Sequence, residues 1–259
     1  MIRFGPAGLG GVKEAISNLE KYKELGLKAC EIAFTYGVYI KDKKVMEDIK
    51  KTSKKLDIKL SIHAPYYINL NSSDKKKLEK SKERILECCR VGESLGAYSV
   101  VYHPGFYGKI GKEETFQNIK KAVIDIQNEI KKNKWHIKQA PETMGKVNVF
   151  GSIDEILRLA KETGCSFCID FAHLYARSLG KMGYKEMYEK VKSFEELHCH
   201  FSGINYGEKG ERNHIPTPNT ELKKLLEVLP KNKEVVIINE SPDPIGDSVS
   251  GLKIWEKLK

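Results

Sequence analysis

Seven acidic and histidine side chains recur along this chain, each at or just after the end of an apolar run. They are His63, His103, Glu142, Asp170, His173, His200 and Glu240. Imidazole nitrogens and carboxylate oxygens are donors that proteins use for zinc and other divalent cations. If these groups lay together away from water, their desolvation would cost free energy unless a positive charge compensated it. Metal ions supply such a charge. Because seven donors exceed the four of one tetrahedral ion, the pattern predicts two or three ions.

A polar segment later in the chain could complete this metal shell. It reads Gly207-Glu208-Lys209-Gly210-Glu211-Arg212-Asn213-His214 and is predicted to be part of a loop that extends to Asn219. Glu211 and His214 carry further metal donors, and Arg212 could bind a phosphate. The alternative interpretation is a mobile surface loop without a functional role.

The elements that must position these side chains alternate between apolar strands and amphipathic helices. Strands are predicted near residues 2–4, 29–34, 59–63, 98–103, 137–142, 166–170, 197–201 and 235–239. Helices are predicted over 12–25, 44–56, 74–95, 112–132 and 153–162, in segments of 173–192, from 219 to 229, and as a short helix at the end. Eight strand–helix units without a linker predict an α/β fold, a single (β/α)₈ TIM barrel with residues 1–259 as one domain. Active sites of such barrels lie at the C-terminal ends of the strands, where the predicted ligands fall.

Composition narrows the class of protein. The chain has 259 residues, 40% of them hydrophobic, and no uninterrupted apolar run long enough to predict a transmembrane helix. We see no secretion signal and no disulfide framework among the six cysteines, which predicts a cytoplasmic protein. The net charge of +10 is compatible with a polyanionic partner, although many lysines lie among glutamates as on a solvated helix surface.

Several segments that carry the candidate ligands together resemble a known family. They are His63-Ala64-Pro65-Tyr66-Tyr67-Ile68-Asn69-Leu70, Val101-Tyr102-His103-Pro104-Gly105, Pro141-Glu142-Thr143-Met144-Gly145, Cys168-Ile169-Asp170-Phe171-Ala172-His173, Leu197-His198-Cys199-His200 and Asn239-Glu240-Ser241-Pro242. In this order they resemble the endonuclease IV family of abasic-site endonucleases (AP endonuclease family 2), within the xylose-isomerase-like TIM-barrel superfamily. The first segment is the most specific of them.

The resemblance implies a trinuclear zinc site, with manganese as another possible metal. The seven strand-end residues would be ligands, and Glu142, the predicted catalytic residue, would bridge two ions. Tyr66 and Tyr67 match the loop that enters the DNA minor groove beside the lesion. The family has an Asp-x-His pair after strand seven, whereas here Glu211 replaces the aspartate and His214 is displaced by one position.

The leading functional hypothesis is metal-dependent phosphodiester hydrolysis at abasic sites in DNA by a monomeric enzyme. A second hypothesis is a divalent-metal-dependent sugar isomerase or epimerase on the same barrel. It predicts a single manganese or magnesium ion, with His63 and His103 free to bind sugar hydroxyls or act as bases. A third is a non-catalytic barrel that binds nucleic acid or a ligand, in which Glu142→Gln leaves function unchanged.

Overall fold

Ten strands and nine helices alternate along residues 1–258, the part of the chain that this computed structural model describes. The strands are β1 (Ile2–Pro6), β2 (Ala29–Ala33), β3 (Lys59–His63), β4 (Ser99–Tyr102), β5 (Lys138–Pro141), β6 (Ile169–Asp170), β7 (Glu196–Phe201), β8 (Gly203–Gly207), β9 (Gly210–Ile215) and β10 (Glu234–Asn239). The helices are α1 (Ala15–Glu24), α2 (Lys43–Leu56), α3 (Lys75–Leu95), α4 (Lys112–Lys132), α5 (Ile153–Thr163), α6 (Phe171–Arg177), α7 (Tyr184–Val191), α8 (Asn219–Val228) and α9 (Pro244–Leu258).

Eight of the strands form a closed parallel barrel. Two four-stranded sheets have the orders β1-β10-β7-β6 and β2-β3-β4-β5, and every pairing within them is parallel. Single parallel bridges from Ala7 to Glu31 and from Glu142 to Cys168 join the two sheets. The predicted (β/α)₈ barrel is therefore confirmed, and the C-terminal ends of its strands meet at one mouth.

The strands are buried on both faces, as a barrel surrounded by helices requires. Residues 235–238 of β10 are each no more than 2% exposed. The helices cover the barrel with one apolar stripe each, as in α4, where Phe116, Ile119, Val123 and Ile126 are buried. This packing holds the strand ends, and the side chains on them, in fixed relative positions.

Capping residues set the helix ends that the sequence predicted. Asp74 accepts hydrogen bonds from the backbone N–H groups of Lys76 and Lys77 and begins α3. Gly96, with a φ of 71°, ends that helix in the left-handed conformation that favours glycine. Ser152 forms a capping box with Glu155 at the start of α5.

Four predicted elements differ from the structure. The predicted loop between residues 201 and 219 is wrong, because it contains the antiparallel hairpin β8–β9. The predicted sixth strand, 166–170, is reduced to Ile169–Asp170, because before them only Cys168 pairs with a neighbouring strand, in a single bridge to Glu142. Helix α1 begins at Ala15 rather than at residue 12, and the final helix, predicted to be short, has 15 residues. No helix within residues 1–258 combines the length and the apolar character needed to span a membrane.

Candidate metal centre

The nine predicted ligands meet at the mouth of the barrel. Their donor atoms form overlapping groups whose members all lie within 4.8 Å of one another. Three of these groups are His63–His103–Glu142, Glu142–Asp170–His200–Glu240 and Asp170–His173–His214. Glu211, the ninth predicted ligand, lies beside His173. The groups share Glu142 and Asp170, so the arrangement can hold up to three neighbouring ions.

Glu142 lies at the centre of the cluster. It follows β5, its side chain is fully buried, and its two carboxylate oxygens face different partners. Oε2 is 3.2 Å from Nε2 of His63 and 3.2 Å from Nε2 of His103, whereas Oε1 is 3.1 Å from Nδ1 of His200. A carboxylate placed in this way can contribute one oxygen to each of two adjacent ions.

The His63 ring is oriented by the turn that follows it. Its Nδ1 lies 2.8 Å from the backbone carbonyl of Ala64, an atom that can only accept a hydrogen bond. Nδ1 therefore donates, and in the neutral ring Nε2 presents its lone pair to the cluster. This second hydrogen bond of a ligating histidine is a regular feature of protein metal sites.

Only one oxygen of the Asp170 carboxylate has a hydrogen-bond partner in the protein, which leaves the other available for a metal ion. Its Oδ1 accepts a hydrogen bond from the backbone N–H of His173 at 2.7 Å. Its Oδ2 is buried and has no hydrogen-bond partner among the described residues. An unpartnered buried carboxylate oxygen is costly, and a cation beside it removes that cost.

His173 and His214 provide a second test of fit. Nδ1 of His173 donates to the carbonyl of Thr143 at 2.9 Å, and Nδ1 of His214 lies 3.2 Å from the carbonyl of Glu240. Nε2 of His173 lies 3.2 Å from Nε2 of His214, a contact that one proton bridges in the metal-free rings. A metal ion that replaced this proton would have both nitrogens as ligands.

A β-bulge brings Glu211 into the same group. Tyr206 pairs with Glu211 and Asn205 with Asn213, so Arg212 is an extra residue without a partner in the hairpin. Residues three apart on a regular strand point to opposite faces, but one extra residue restores them to the same face. Glu211 Oε2 is 3.6 Å from His173 Nε2, on the side where His214 also lies. The bulge thus compensates for the altered spacing of the two residues.

Electrostatic coupling within the cluster is strong. Burial opposes ionisation of Glu142, but His200 and the other imidazoles around it hold the pKa of this carboxyl well below its usual range. Burial also opposes a charge on His63, yet the hydrogen bond to Glu142 raises the pKa of His63 to about 9. Asp170 and Glu142 likewise raise the pKa of the buried His173 well above its usual value. Binding of a metal ion must therefore displace protons from these rings.

Two buried polar residues beneath the cluster escaped sequence analysis. Glu31 in β2 is fully buried, with Oε1 2.9 Å from Nε2 of His200. His198 in β7 is also buried, with Nε2 3.2 Å from Glu31 Oε2. Neither residue lies at a strand end, which is why a search of strand ends missed them. A glutamate inside an otherwise apolar strand was the available signal.

Exposed aromatic side chains form one rim of the mouth. The predicted Tyr66 and Tyr67 are 53% and 40% exposed, and their rings are 5.5 Å apart. Tyr36, which sequence analysis did not single out, is 81% exposed and lies 6.0 Å from Tyr66. The Tyr67 hydroxyl donates to the Tyr36 carbonyl, and the Arg84 guanidinium lies over the Tyr67 ring. We call Tyr36, Tyr66 and Tyr67 the aromatic rim.

Arg212 lies away from this rim, on the hairpin. It lines a cavity of about 590 Å³ together with Lys146, Lys209 and Glu211. A separate cavity of about 230 Å³ at the mouth is lined by Tyr66 and by candidate ligands that include His63 and Glu240. The structure therefore places Tyr66 directly beside the metal cluster, and Arg212 next to Glu211.

Comparison with known proteins agrees with this architecture. Residues 19–258 match a family model described as the xylose isomerase-like TIM barrel. The chain belongs to this family. The expected family and fold are thus confirmed.

Sequence relatives include proteins with and without a described activity. The chain is 36% identical to an uncharacterised protein of Methanocaldococcus jannaschii, over 100% of this chain and 98% of that protein. It is 25% identical to a probable endonuclease 4 of Mycobacterium leprae, over 59% of this chain and 60% of that protein. It is also 27% identical to an apurinic-apyrimidinic endonuclease of Caenorhabditis elegans, over 76% of this chain and 52% of that protein.

Solved structures with the same fold belong to proteins whose names indicate different functions. SacUVDE superposes with a TM-score of 0.78 at 17% identity, covering 100% of this chain and 99% of the other. Endonuclease IV from Thermus thermophilus gives 0.75 at 17% identity, with the same coverage. A D-tagatose 3-epimerase-like protein gives 0.70 at 20% identity, covering 99% of this chain and 97% of the other. These similarities establish the fold, which nucleases and epimerases share.

Proposed function

We propose that this chain is a zinc-dependent phosphodiesterase that cleaves DNA at abasic sites. The observation that carries the proposal is the set of three donor groups linked through Glu142 and Asp170. An epimerase with one ion needs only one of these groups. The names of the relatives from Mycobacterium leprae and Caenorhabditis elegans support a nuclease.

Each donor group would hold one ion. His63 and His103 would bind the first, and Glu142 would bridge it to the second. Asp170, His200 and Glu240 would complete the second site. His173, Glu211 and His214 would bind the third. Divalent ions in such a cluster supply Lewis acidity that neutralises phosphate oxygens and activates water near neutral pH.

The residues around the mouth would bind the nucleic acid. The aromatic rim offers exposed ring faces beside the cluster, on which bases flanking a missing base could stack. Arg212, with Lys146 and Lys209 in the same cavity, offers cations to the phosphates on the other side of the mouth. These contacts would place an abasic phosphodiester over the ions.

The direct test is cleavage of a duplex with one abasic site by zinc-loaded protein. We expect strand scission at the lesion, and no cleavage of the same duplex with an intact base. Metal analysis before the assay ensures that the tested protein carries its ions. An intact abasic strand at high concentration of fully loaded protein would exclude the proposed activity.

A sugar epimerase is the second candidate, because Glu142, Asp170, His200 and Glu240 form a four-residue group that could hold one ion. The epimerase-like structural neighbour shares the barrel. This function predicts one manganese or magnesium ion per chain and turnover of ketoses, with His63 and His103 outside the metal shell. Two or three bound zinc ions without ketose turnover would exclude it.

A further inference from the structure

A buried carboxylate lies directly behind one of the candidate ligands. Glu31 points from β2 into the barrel interior and is fully buried. Its Oε1 is 2.9 Å from Nε2 of His200, and its Oε2 is 3.2 Å from Nε2 of His198. The Ser61 hydroxyl donates to Oε2 at 2.7 Å. The Ser61 hydroxyl thus satisfies Oε2, whereas Oε1 has no aligned hydrogen bond among the described residues, so its contact with His200 is electrostatic.

The charge of Glu31 favours a proton on one nitrogen of His200. An ionised carboxylate 2.9 Å from Nε2 repels a lone pair there and stabilises an N–H group. In the neutral ring, Nδ1 then has a free lone pair. That atom lies 3.1 Å from Glu142 Oε1 and 3.4 Å from Glu240 Oε1, on the side of the metal cluster.

The far side of Glu31 is held by a second histidine and a tyrosine. Nε2 of His198 lies 3.2 Å from Glu31 Oε2 and 3.4 Å from Nε2 of His200, and its Nδ1 forms a hydrogen bond with the hydroxyl of Tyr98. We call Tyr98, His198 and Glu31 the buried relay.

His200 differs in this respect from three other candidate ligands of the described chain. His63, His173 and His214 each have Nδ1 next to a backbone carbonyl, at distances of 2.8, 2.9 and 3.2 Å. Substitution of a side chain does not remove a backbone carbonyl. The contact behind His200 instead depends on the side chain of Glu31, whose negative charge makes the ring a better ligand.

We infer that Glu31 is a positioning residue of the metal centre, which holds His200 with Nδ1 directed at the ion shared with Asp170 and Glu240. The inference rests on the proposed metal-dependent function, since it assigns Glu31 a role toward those ions. Glu31 itself contacts the Nε2 side of the ring. Its effect is on the affinity and geometry of one of the three ion sites.

The test is metal binding by Glu31→Ala and Glu31→Gln, compared with the unaltered protein. Titration of the metal-free protein with Co²⁺ reports both affinity and, through the visible absorption spectrum, the geometry at each ion. We expect Glu31→Ala to weaken one ion site by about 10- to 100-fold and change its spectrum, with the remaining sites unaltered. Glu31→Gln keeps an acceptor oxygen but loses the charge, so we expect a smaller loss.

Ser61→Ala is the matched control. It removes a hydrogen bond to Glu31 but leaves the contact with His200, so all sites should retain their affinity. Circular dichroism of each metal-free variant verifies the fold. If Glu31→Ala does not fold, the cobalt affinities and spectrum of Glu31→Gln are compared with those of the unaltered protein instead. A purely structural role would change thermal stability but leave the cobalt affinities and spectrum of the folded variants unchanged.

Folded Glu31→Ala or Glu31→Gln with unchanged affinity and spectrum at every site would overturn the inference. This outcome is distinguishable from failure of the proposed function. If the loaded, unaltered protein leaves abasic DNA intact, the nuclease proposal fails, and the cobalt titration still decides the role of Glu31. If the protein cleaves abasic DNA but the variants bind metal normally, only the role of Glu31 is rejected.

Discussion

Glu142 and Asp170 each belong to two donor groups of the candidate metal cluster. Glu142 contacts His63 and His103 through one oxygen and His200 through the other. Asp170 uses one oxygen to cap α6 and leaves the other free for an ion. Because these residues belong to more than one donor group, their loss should affect more than one ion.

Glu142→Gln should therefore be the most damaging single substitution. The amide keeps the size of the side chain but loses the charge that compensates two ions. We expect fewer bound ions per chain and a loss of abasic-site cleavage of at least about 100-fold, since even outer hydrogen-bond partners of metal ligands contribute 10- to 100-fold. Metal analysis and single-turnover cleavage measure the two effects.

Glu113→Gln is the control for this substitution, because Glu113 lies on the outer surface and pairs with Arg158. It should bind metal and cleave as the unaltered protein does. Full activity of Glu142→Gln would contradict the assigned role of Glu142 and favour the non-catalytic hypothesis.

His214→Asn should remove one ion and leave two. His214 belongs to the group with Asp170 and His173, and it has no donor atom in the group of His63, His103 and Glu142. We expect a fall from three zinc ions to two, measured by mass spectrometry of the intact protein under non-denaturing conditions. Three tightly bound ions in the variant would show that His214 is not a ligand.

At the scale of elements, the β8–β9 hairpin decides whether the third donor group exists. The backbone N–H of Glu211 donates to the carbonyl of Gly145 at 3.1 Å, which attaches the hairpin to the segment after β5. A side chain at Gly145 would collide with Glu211, where an added Cβ would lie 2.6 Å from the Glu211 Cβ. The hairpin and this glycine together place Glu211 beside His173.

Deletion of Arg212 tests the bulge directly. Without the extra residue the hairpin would be regular, and the glutamate and the histidine would be two apart, again on one face. We therefore expect the deletion variant to keep the third ion with at most modestly reduced affinity, while losing the cation that Arg212 would offer to DNA in the proposed function. Zinc titration and binding of an abasic duplex measure the two properties separately.

Insertion of one alanine between Asn205 and Tyr206 is the matched contrast. It would give Arg212 a partner in β8 and make the hairpin regular, so Glu211 and His214, three apart, would point to opposite faces and the third ion should be lost. Retention of the third ion in the insertion variant, or its loss in the deletion variant, would contradict the account of the bulge.

At the scale of the whole molecule, the excess positive charge is unevenly distributed. Ion pairs cross from α3 to α4 between Lys82 and Asp125, and from α4 to α5 between Lys120 and Glu162. The groove between α2 and α3, a cavity of about 600 Å³, is instead lined by cations. They are Lys41, Lys43, Lys50, Lys51, Lys54 and Arg90. Among the described residues, Lys51 alone of these six has an acidic partner, Glu47.

Nucleic-acid binding should therefore depend on this groove. Lys41 lies five residues after Tyr36 of the aromatic rim, so DNA extending from the mouth could pass over the groove. Replacement of Lys50, Lys54 and Arg90 by glutamine should weaken binding of a long duplex and reduce the slope of log affinity against log salt by about 1 per lost phosphate contact. Fluorescence anisotropy at several salt concentrations gives the slope.

The control replaces Lys23, Lys131 and Lys253, which are exposed on other helices, by glutamine. The net charge changes equally, so only the position of the charge differs. An equal change of slope in both triple variants would show that the groove has no special role.

The sequence by itself determined the barrel and most of its mouth. Apolar runs separated by amphipathic helices predict a parallel sheet covered on both faces, and eight such units favour a closed barrel over an open sheet. Parallel strands bring their C-terminal ends to one edge, so residues such as His63, Glu142 and Glu240 could be assigned to one site before any coordinates were known. The helix ends were also predictable, because Asp74 and Ser152 cap them through local hydrogen bonds.

Only the tertiary structure decided the contacts that depend on register and on distant strands. Arg212 forms a bulge because of how β9 pairs with β8, and this pairing brings Glu211 and His214 to the same face. Glu31 lies within an apolar strand, and its contact with His200 joins residues far apart in the sequence. Tyr36 joins the aromatic rim because the loops after β2 and β3 are neighbours at the mouth. The register of the hairpin and the approach of distant strands in the barrel arise on folding, and local sequence patterns do not encode them.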